Sequence, residues 1–156
     1  MTDREFMDKA FLEAKKAYML GEVPVGCIIV VDGEIIATGH NERHKYQNGI
    51  LHAEVVAIQR ACKKLKRWAL TDATIYVTVE PCLMCTGAIL ASRIKRLVYG
   101  AKEPRMGCVE SVLEAYKYPF THHVDTQGGI MEEEVSRLMR SFFKELRQRK
   151  KNMDEM

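Results

Sequence analysis

Apolar positions near the start of the chain recur at helical spacing. Phe6, Ala10, Ala14, Ala17 and Tyr18 fall on one face of a helix, Thr2 and Glu5 suit a capping box ahead of it, and Gly21 suits its end. The pattern then changes period. Val25 to Val31 is a short apolar run rich in β-branched residues, Asp32-Gly33 is a hairpin turn signal, and Glu34 to Asn41 reads as the returning strand. Residues 42–51 are polar and irregular. From about His52 to Lys66, Val55, Ile58, Cys62 and Leu65 share one helical face. Ala73 to Val79 reads as a third strand, followed by a helix that starts at Pro81-Cys82 and runs to about Ser92. A strand is expected around Arg96 to Gly100, a loop over 101–110, a short helix near Ser111–Tyr116 and a weak strand near His122–Asp125. The last helix, from about Met131, gathers Val135, Leu138, Met139, Phe142 and Leu146 on one side, as core positions.

The predicted order is α-β-β-α-β-α-β-α-β-α. A hairpin followed by β-α-β units calls for a mixed sheet with helices on both faces. One domain is expected over residues 1–151, with a frayed tail at 152–156. No repeat, low-complexity segment or interdomain linker interrupts it.

Composition narrows the classes. Apolar residues are 47% of 156, ordinary for a soluble globular domain. No apolar run approaches the roughly 20 residues of a membrane span, and Met1 to Glu5 lacks the pattern of a signal peptide. The five cysteines are an odd number without an export signal, which points to a reducing cytoplasm rather than a disulfide framework. Cys27 and Cys62 sit at apolar positions of a strand and a helix, and Cys108 carries no assigned role. Net charge is only +3, but Lys144, Arg147, Arg149, Lys150 and Lys151 face a single Glu145, and Arg93, Lys95, Arg96, Lys102 and Arg105 face a single Glu103. Such clusters suit phosphates. They equally suit a solvated helix end.

The chemistry concentrates in two short motifs. His52-Ala53-Glu54 is followed by Pro81-Cys82-Leu83-Met84-Cys85. Cys82 and Cys85 are spaced i, i+3, so a helix starting near Pro81 puts both thiols on one side, where its N-terminus favours thiolate. With His52 they supply three corners of a Zn²⁺ tetrahedron, one zinc per chain, leaving the fourth for water. Two thiolates and a neutral imidazole cancel the charge of the ion, so a neighbouring base is needed, and Glu54 is the candidate. A Cys-x-x-Cys alone is equally a redox pair or half of a closed structural site. No second Cys-x-x-Cys exists here, although His40, His44, His122 and His123 are available as a fourth ligand.

His-x-Glu followed by Pro-Cys-x-x-Cys is the signature of zinc nucleobase deaminases. Beyond it, Gly21-Glu-Val-Pro-Val-Gly26, Asn41, Tyr76 to Ala88, Ser92-Arg93-Ile94, Tyr99-Gly100-Ala101 and the pair Phe142-Phe143 span almost the whole chain. In these stretches the sequence resembles the bacterial tRNA-specific adenosine deaminases of the cytidine deaminase-like superfamily. The zinc motifs alone reach only the superfamily. Glu-Val-Pro-Val-Gly, Ser-Arg-Ile and the Phe pair narrow it. The resemblance implies a three-layer α/β/α sandwich around a mixed five-stranded sheet and a homodimer. It also implies hydrolytic deamination of adenosine to inosine at the wobble position, on the anticodon arm of a tRNA. It implies that Asn41 bonds the base or ribose, that Val25 and Pro81 wall the pocket, and that the Ala53 N–H meets the base. Glu103 and Phe142 or Phe143 would lie near the RNA. Three features depart from the family pattern: Gly49-Ile50-Leu51 ahead of the histidine, Glu103 in place of Asp, and Glu110 in place of a small residue. Deamination of a free base or nucleotide (guanine, cytosine or deoxycytidylate) and a non-catalytic RNA-binding scaffold remain as alternatives.

Overall fold

The computed structural model describes all 156 residues. Its elements are α1 (Asp3–Met19), β1 (Gly26–Val31), β2 (Glu34–His40), α2 (Arg43–Tyr46), α3 (Ala53–Leu65), β3 (Ala73–Val79), α4 (Leu83–Ala91), β4 (Arg96–Ala101), a 3₁₀ turn (Ala115–Lys117), β5 (Asp125–Gln127) and α5 (Glu132–Asp154). The five strands form one sheet in the order β2-β1-β3-β4-β5. β1 runs antiparallel to β2 and β3, whereas β3, β4 and β5 run parallel.

Alternation along the central strands divides the core into two apolar layers. Cys27, Ile29, Val31, Ile75, Val77 and Leu97 face α3 and α4, where they meet Ala53, Ala57, Ala61 and Ile89. Ile28, Val30, Tyr76 and Val98 face the other way and meet Phe6, Met7 and Ala10 of α1 and Val135 of α5. The sheet is therefore the middle of the expected three-layer α/β/α sandwich. All six residues of β1 are buried because helices cover both faces, which is why that strand reads as an unbroken apolar run. Gly26 is where α1 crosses most closely: a Cβ there would lie 2.0 Å from the Ala10 carbonyl oxygen and 2.3 Å from the Ala14 nitrogen. Gly26→Ala is expected to destabilise the fold by at least about 1–3 kcal/mol in urea unfolding, because the obstacle is helix backbone rather than a movable side chain.

Four elements differ from expectation, each for a physical reason. α2 is a one-turn helix in the segment read as irregular. Its N-terminal N–H groups, those of His44 and Lys45, donate to Glu22 at 3.0 and 2.9 Å, a cap remote in sequence. The helix expected over Ser111–Tyr116 shrinks to the 3₁₀ turn, because the Val112 and Ala115 N–H groups donate to the Gly107 and Cys108 carbonyls, 2.8 and 3.2 Å away, and not to carbonyls four residues back. β5 overlaps the expected His122–Asp125 only at Asp125, and its three residues are exposed, so no apolar alternation marks it. α5 continues to Asp154, past the point where fraying was expected, with no Gly or Pro to stop it. Of its apolar stripe only Val135 and Phe142 are buried, and Leu146 is exposed. Every residue after Phe142 is exposed.

Candidate active site

Two helices begin at one point. His52 is the N-cap of α3 and Cys82 the N-cap of α4, and neither side chain caps its own helix. Side chains that usually satisfy the first helical N–H groups are here turned toward each other. Cys85 follows in the first turn of α4 and is fully buried. The His52 Nδ1 lies 3.6 Å from the Cys82 Sγ and 3.7 Å from the Cys85 Sγ. Tetrahedral zinc with ordinary Zn–S and Zn–N bonds separates sulfur from nitrogen by about 3.6 Å. The three donor atoms lie within 4.8 Å of one another and no fourth Cys, His, Asp or Glu joins them. The donor set therefore fits an open zinc site and not a closed structural one. Cys108 is buried beside it without joining, its thiol within 3.5 Å of the Met106 carbonyl.

Electrostatics agree with a cation at this point. The hydrogen bond from Cys85, helped by His52, holds the Cys82 thiol down to about 4. Its thiolate and burial then push the Cys85 thiol far up, and the hydrogen bond to Cys82 raises His52. Two adjacent thiolates repel and are costly to bury, so only a positive ion between them stabilises both.

A cavity of about 350 Å³ opens onto the ligands, within the range of small-molecule sites. Glu54 lines it from the first turn of α3 and is only 4% exposed. Burial pushes its carboxyl up to about 7, against the pull of its own N–H and His52. A carboxyl poised near neutrality suits both accepting and returning a proton. Asn41, Val25, Ala53, Glu103 and Phe143 line the same cavity. The Asn41 carboxamide oxygen accepts from the Arg43 N–H at 3.1 Å, a turn role, and its NH₂ group is left for a ligand. The Ala53 N–H opens α3 and belongs to the N–H groups that no helix satisfies internally.

Two expected residues do not reach the cavity. Pro81 is buried behind Cys82, its carbonyl accepting from the Cys108 N–H at 2.9 Å. Phe142 turns inward and packs edge-on against Tyr18, with ring centroids 5.6 Å apart, so Phe143 alone faces the site. The cavity also contains residues that sequence reasoning missed: Val23, Arg43, Glu80, Met106 and Met139.

A second, larger depression of about 880 Å³ adjoins the cavity and shares Val79, Glu103, Met139 and Phe143 with it. Lys102, Arg105, Arg137, Arg140, Lys144 and Arg147 line it, against the single acid Glu103. Both clusters seen in the sequence are thereby divided. Lys102 and Arg105 join the groove. Arg93, Lys95 and Arg96 lie toward the other end of β4, Arg96 making two bonds of 2.8 and 2.7 Å to Asp3 and Arg93 packing over Trp68. Of the terminal cluster, Lys144 and Arg147 line the groove, whereas Arg149, Lys150 and Lys151 do not. Arg137 and Arg140 take their place: with Lys144 and Arg147 they recur every three or four residues and mark one face of α5.

A family model for the cytidine and deoxycytidylate deaminase zinc-binding region matches residues 1–101. A tRNA-specific adenosine deaminase of Bacillus subtilis (strain 168) is 45% identical over 150 residues, covering 96% of this chain and 93% of that protein. The chain belongs to the tRNA-specific adenosine deaminase family. A solved structure from studies of A-to-I editing by tRNA:A34 deaminases at the wobble position of transfer RNA superposes with a TM-score of 0.83 at 40% identity, covering 86% of this chain and 98% of that one. The guanine deaminase of Bacillus subtilis superposes less well, with a TM-score of 0.63 at 32% identity, covering 78% of this chain and 88% of that one. The zinc-region match ends at Ala101, so the loop after β4 and all of α5, which build the basic groove, lie outside it. The similarity to the Bacillus subtilis tRNA enzyme runs on through most of them.

Proposed function

We propose that this chain deaminates the wobble adenosine of tRNA to inosine, releasing ammonia, with the anticodon arm lying in the basic groove and the target base in the cavity. The observation that carries the RNA reading is the groove itself, continuous with the cavity and lined by six cations against one acid. A free base or nucleotide needs no such surface. The presence of Glu54 in the cavity favours an enzyme over a non-catalytic scaffold.

His52, Cys82 and Cys85 hold Zn²⁺, which when bound supplies Lewis-acid activation of a water. Glu54 takes a proton from the attacking water as the new C–O bond forms at C6, and gives it to N1. It then carries the remaining proton of the new C6 hydroxyl to the amino group as the C–N bond breaks and the C6 carbonyl forms, so that water is consumed and ammonia released. The Ala53 N–H and the free NH₂ of Asn41 orient the base, while Val25, Met106, Met139 and Phe143 form apolar walls. C6 is inaccessible in a stacked base, so the nucleotide must leave the stack, which is least costly in a single-stranded anticodon loop.

The protein acts in the cytoplasm as a homodimer in this reading. No helix is long and apolar enough to cross a membrane. Leu83, Val112, Tyr118 and Phe120 are exposed, and the Tyr116 hydroxyl bonds the Thr86 carbonyl at 2.9 Å, which holds this segment beside α4. A second copy would cover that apolar surface.

The groove provides the test. Replacing Arg137, Arg140, Lys144 and Arg147 with Ala is expected to weaken binding of an anticodon stem-loop. The dependence of log affinity on log salt should become shallower by about 0.7 for each phosphate that is no longer neutralised. Replacing Arg149, Lys150 and Lys151 is expected to change it much less. Equal losses from both sets would show that bulk charge, and not the groove, holds the RNA. Asn41→Ala is expected to lower turnover while the protein stays folded. A large fall in melting temperature with near-normal turnover would reduce Asn41 to its turn role.

A further inference from the structure

Glu80 borders the cavity but is only 3% exposed and has no place in the proton transfers above. Its carboxylate is already full. One oxygen accepts from the Glu103 N–H at 3.0 Å and from the Ser111 hydroxyl. The other accepts from the N–H groups of Val109, Glu110 and Ser111 at 3.0, 2.8 and 2.9 Å. A carboxylate offers about four lone-pair sites, so these five donors leave nothing for substrate or water. Hydrogen bonds to an ionised acceptor are also the stronger kind.

All five donors come from the loop that follows β4. The same loop is joined to the Pro81-Cys82 segment between β3 and α4 by the Cys108 N–H bond to the Pro81 carbonyl and by an isolated antiparallel bridge between Cys82 and Gly107. The approach is so close at Gly107 that a Cβ there would lie 2.3 Å from the Glu80 carboxyl carbon. This loop carries Glu103 and Met106 into the cavity and Lys102 and Arg105 into the groove. The zinc ligands and Glu54 sit on α3 and α4 instead.

We infer that Glu80 is a positioning residue: through main-chain N–H groups it sets the loop over residues 103–111 against the cavity, and so governs how well the RNA substrate binds rather than how fast it reacts. Four of the five bonds come from main-chain N–H groups, so the shape of the loop depends little on which side chains it carries toward the cavity and groove. Glu103 and Glu110 both hold the loop in this way. Each gives its N–H to Glu80, and the Glu110 side chain accepts from the Tyr99 hydroxyl outside the cavity.

The inference rests on the deaminase reading, and the test separates the two. Zinc-loaded wild-type, Glu80→Gln, Ser111→Ala and Gly107→Ala proteins are assayed on an anticodon stem-loop with A at the wobble position. Glu80→Gln keeps the side-chain shape but turns an NH₂ toward N–H donors. It is expected to keep one zinc per chain and to raise KM at least about tenfold, the equivalent of one charge-assisted hydrogen bond. Its kcat should stay within about threefold of wild type. Amide hydrogen exchange at Val109, Glu110 and Ser111 should accelerate. Ser111→Ala removes one donor and should raise KM less, and Gly107→Ala should raise it by displacing the carboxylate. These two decide the question if Glu80→Gln does not fold. Unchanged KM, loss of zinc, or a fall in kcat alone would overturn the inference. Failure of the wild-type protein to make inosine would overturn the deaminase reading instead.

Discussion

Glu54→Ala is expected to bind zinc and the stem-loop normally while inosine formation falls by about 10²–10⁴-fold, the contribution of a general acid–base group. Three carboxylates border the cavity, and the other two are engaged. Glu80 is saturated by five donors, and Glu103 accepts from the Arg105 N–H at 2.9 Å. Glu54 remains the carboxyl free to move a proton, and burial holds it near neutrality. Removing a desolvated carboxyl relieves a cost to the fold, so the melting temperature should equal or exceed that of wild type. Glu54→Gln, which keeps the shape but not the basicity, should be as inactive as the Ala protein. Near wild-type turnover in either variant would contradict the proton-transfer role.

Cys85→Ala is expected to lose both zinc and activity. Cys85 is the buried member of the donor set, and its thiol resists ionisation unless a cation is present beside it and Cys82. Two remaining donors hold zinc far less well than three. Because a metal that binds only the folded state stabilises it, chelation should lower the melting temperature of wild type and leave that of Cys85→Ala unchanged. Cys108→Ala should retain zinc, since its thiol does not join the donor cluster. Metal analysis of the purified proteins measures this, and a full complement of zinc in Cys85→Ala would remove Cys85 from the site.

Much of this site was legible because its ligands lie at positions with local signals. His52 begins a helix whose apolar periodicity is plain, Pro81 marks the start of the one at Cys82, and the spacing of Cys82 and Cys85 needs only one helical turn. What escaped depends on partners distant in the chain. α2 is capped by Glu22, so nothing within residues 42–51 announces it. The loop after β4 is organised by Glu80, more than twenty residues earlier, and where a helix was expected at 111–116 the Ala115 N–H instead bonds the Cys108 carbonyl. The basic groove was misjudged for another reason. Counting cations along the chain favoured the dense run at 144–151, whereas the groove is lined from one helix face, by Arg137, Arg140, Lys144 and Arg147. Their spacing was readable. The position of α5 beside the cavity was not.

The most direct measurement compares substrates for the zinc-loaded wild-type protein. An anticodon stem-loop with A at the wobble position is set beside free adenosine, guanine and deoxycytidylate. With one base in the cavity and the backbone in the groove, as proposed, the stem-loop should be converted to inosine efficiently and the small molecules poorly. Rapid turnover of a free base or nucleotide, with no inosine in the stem-loop, would contradict the account.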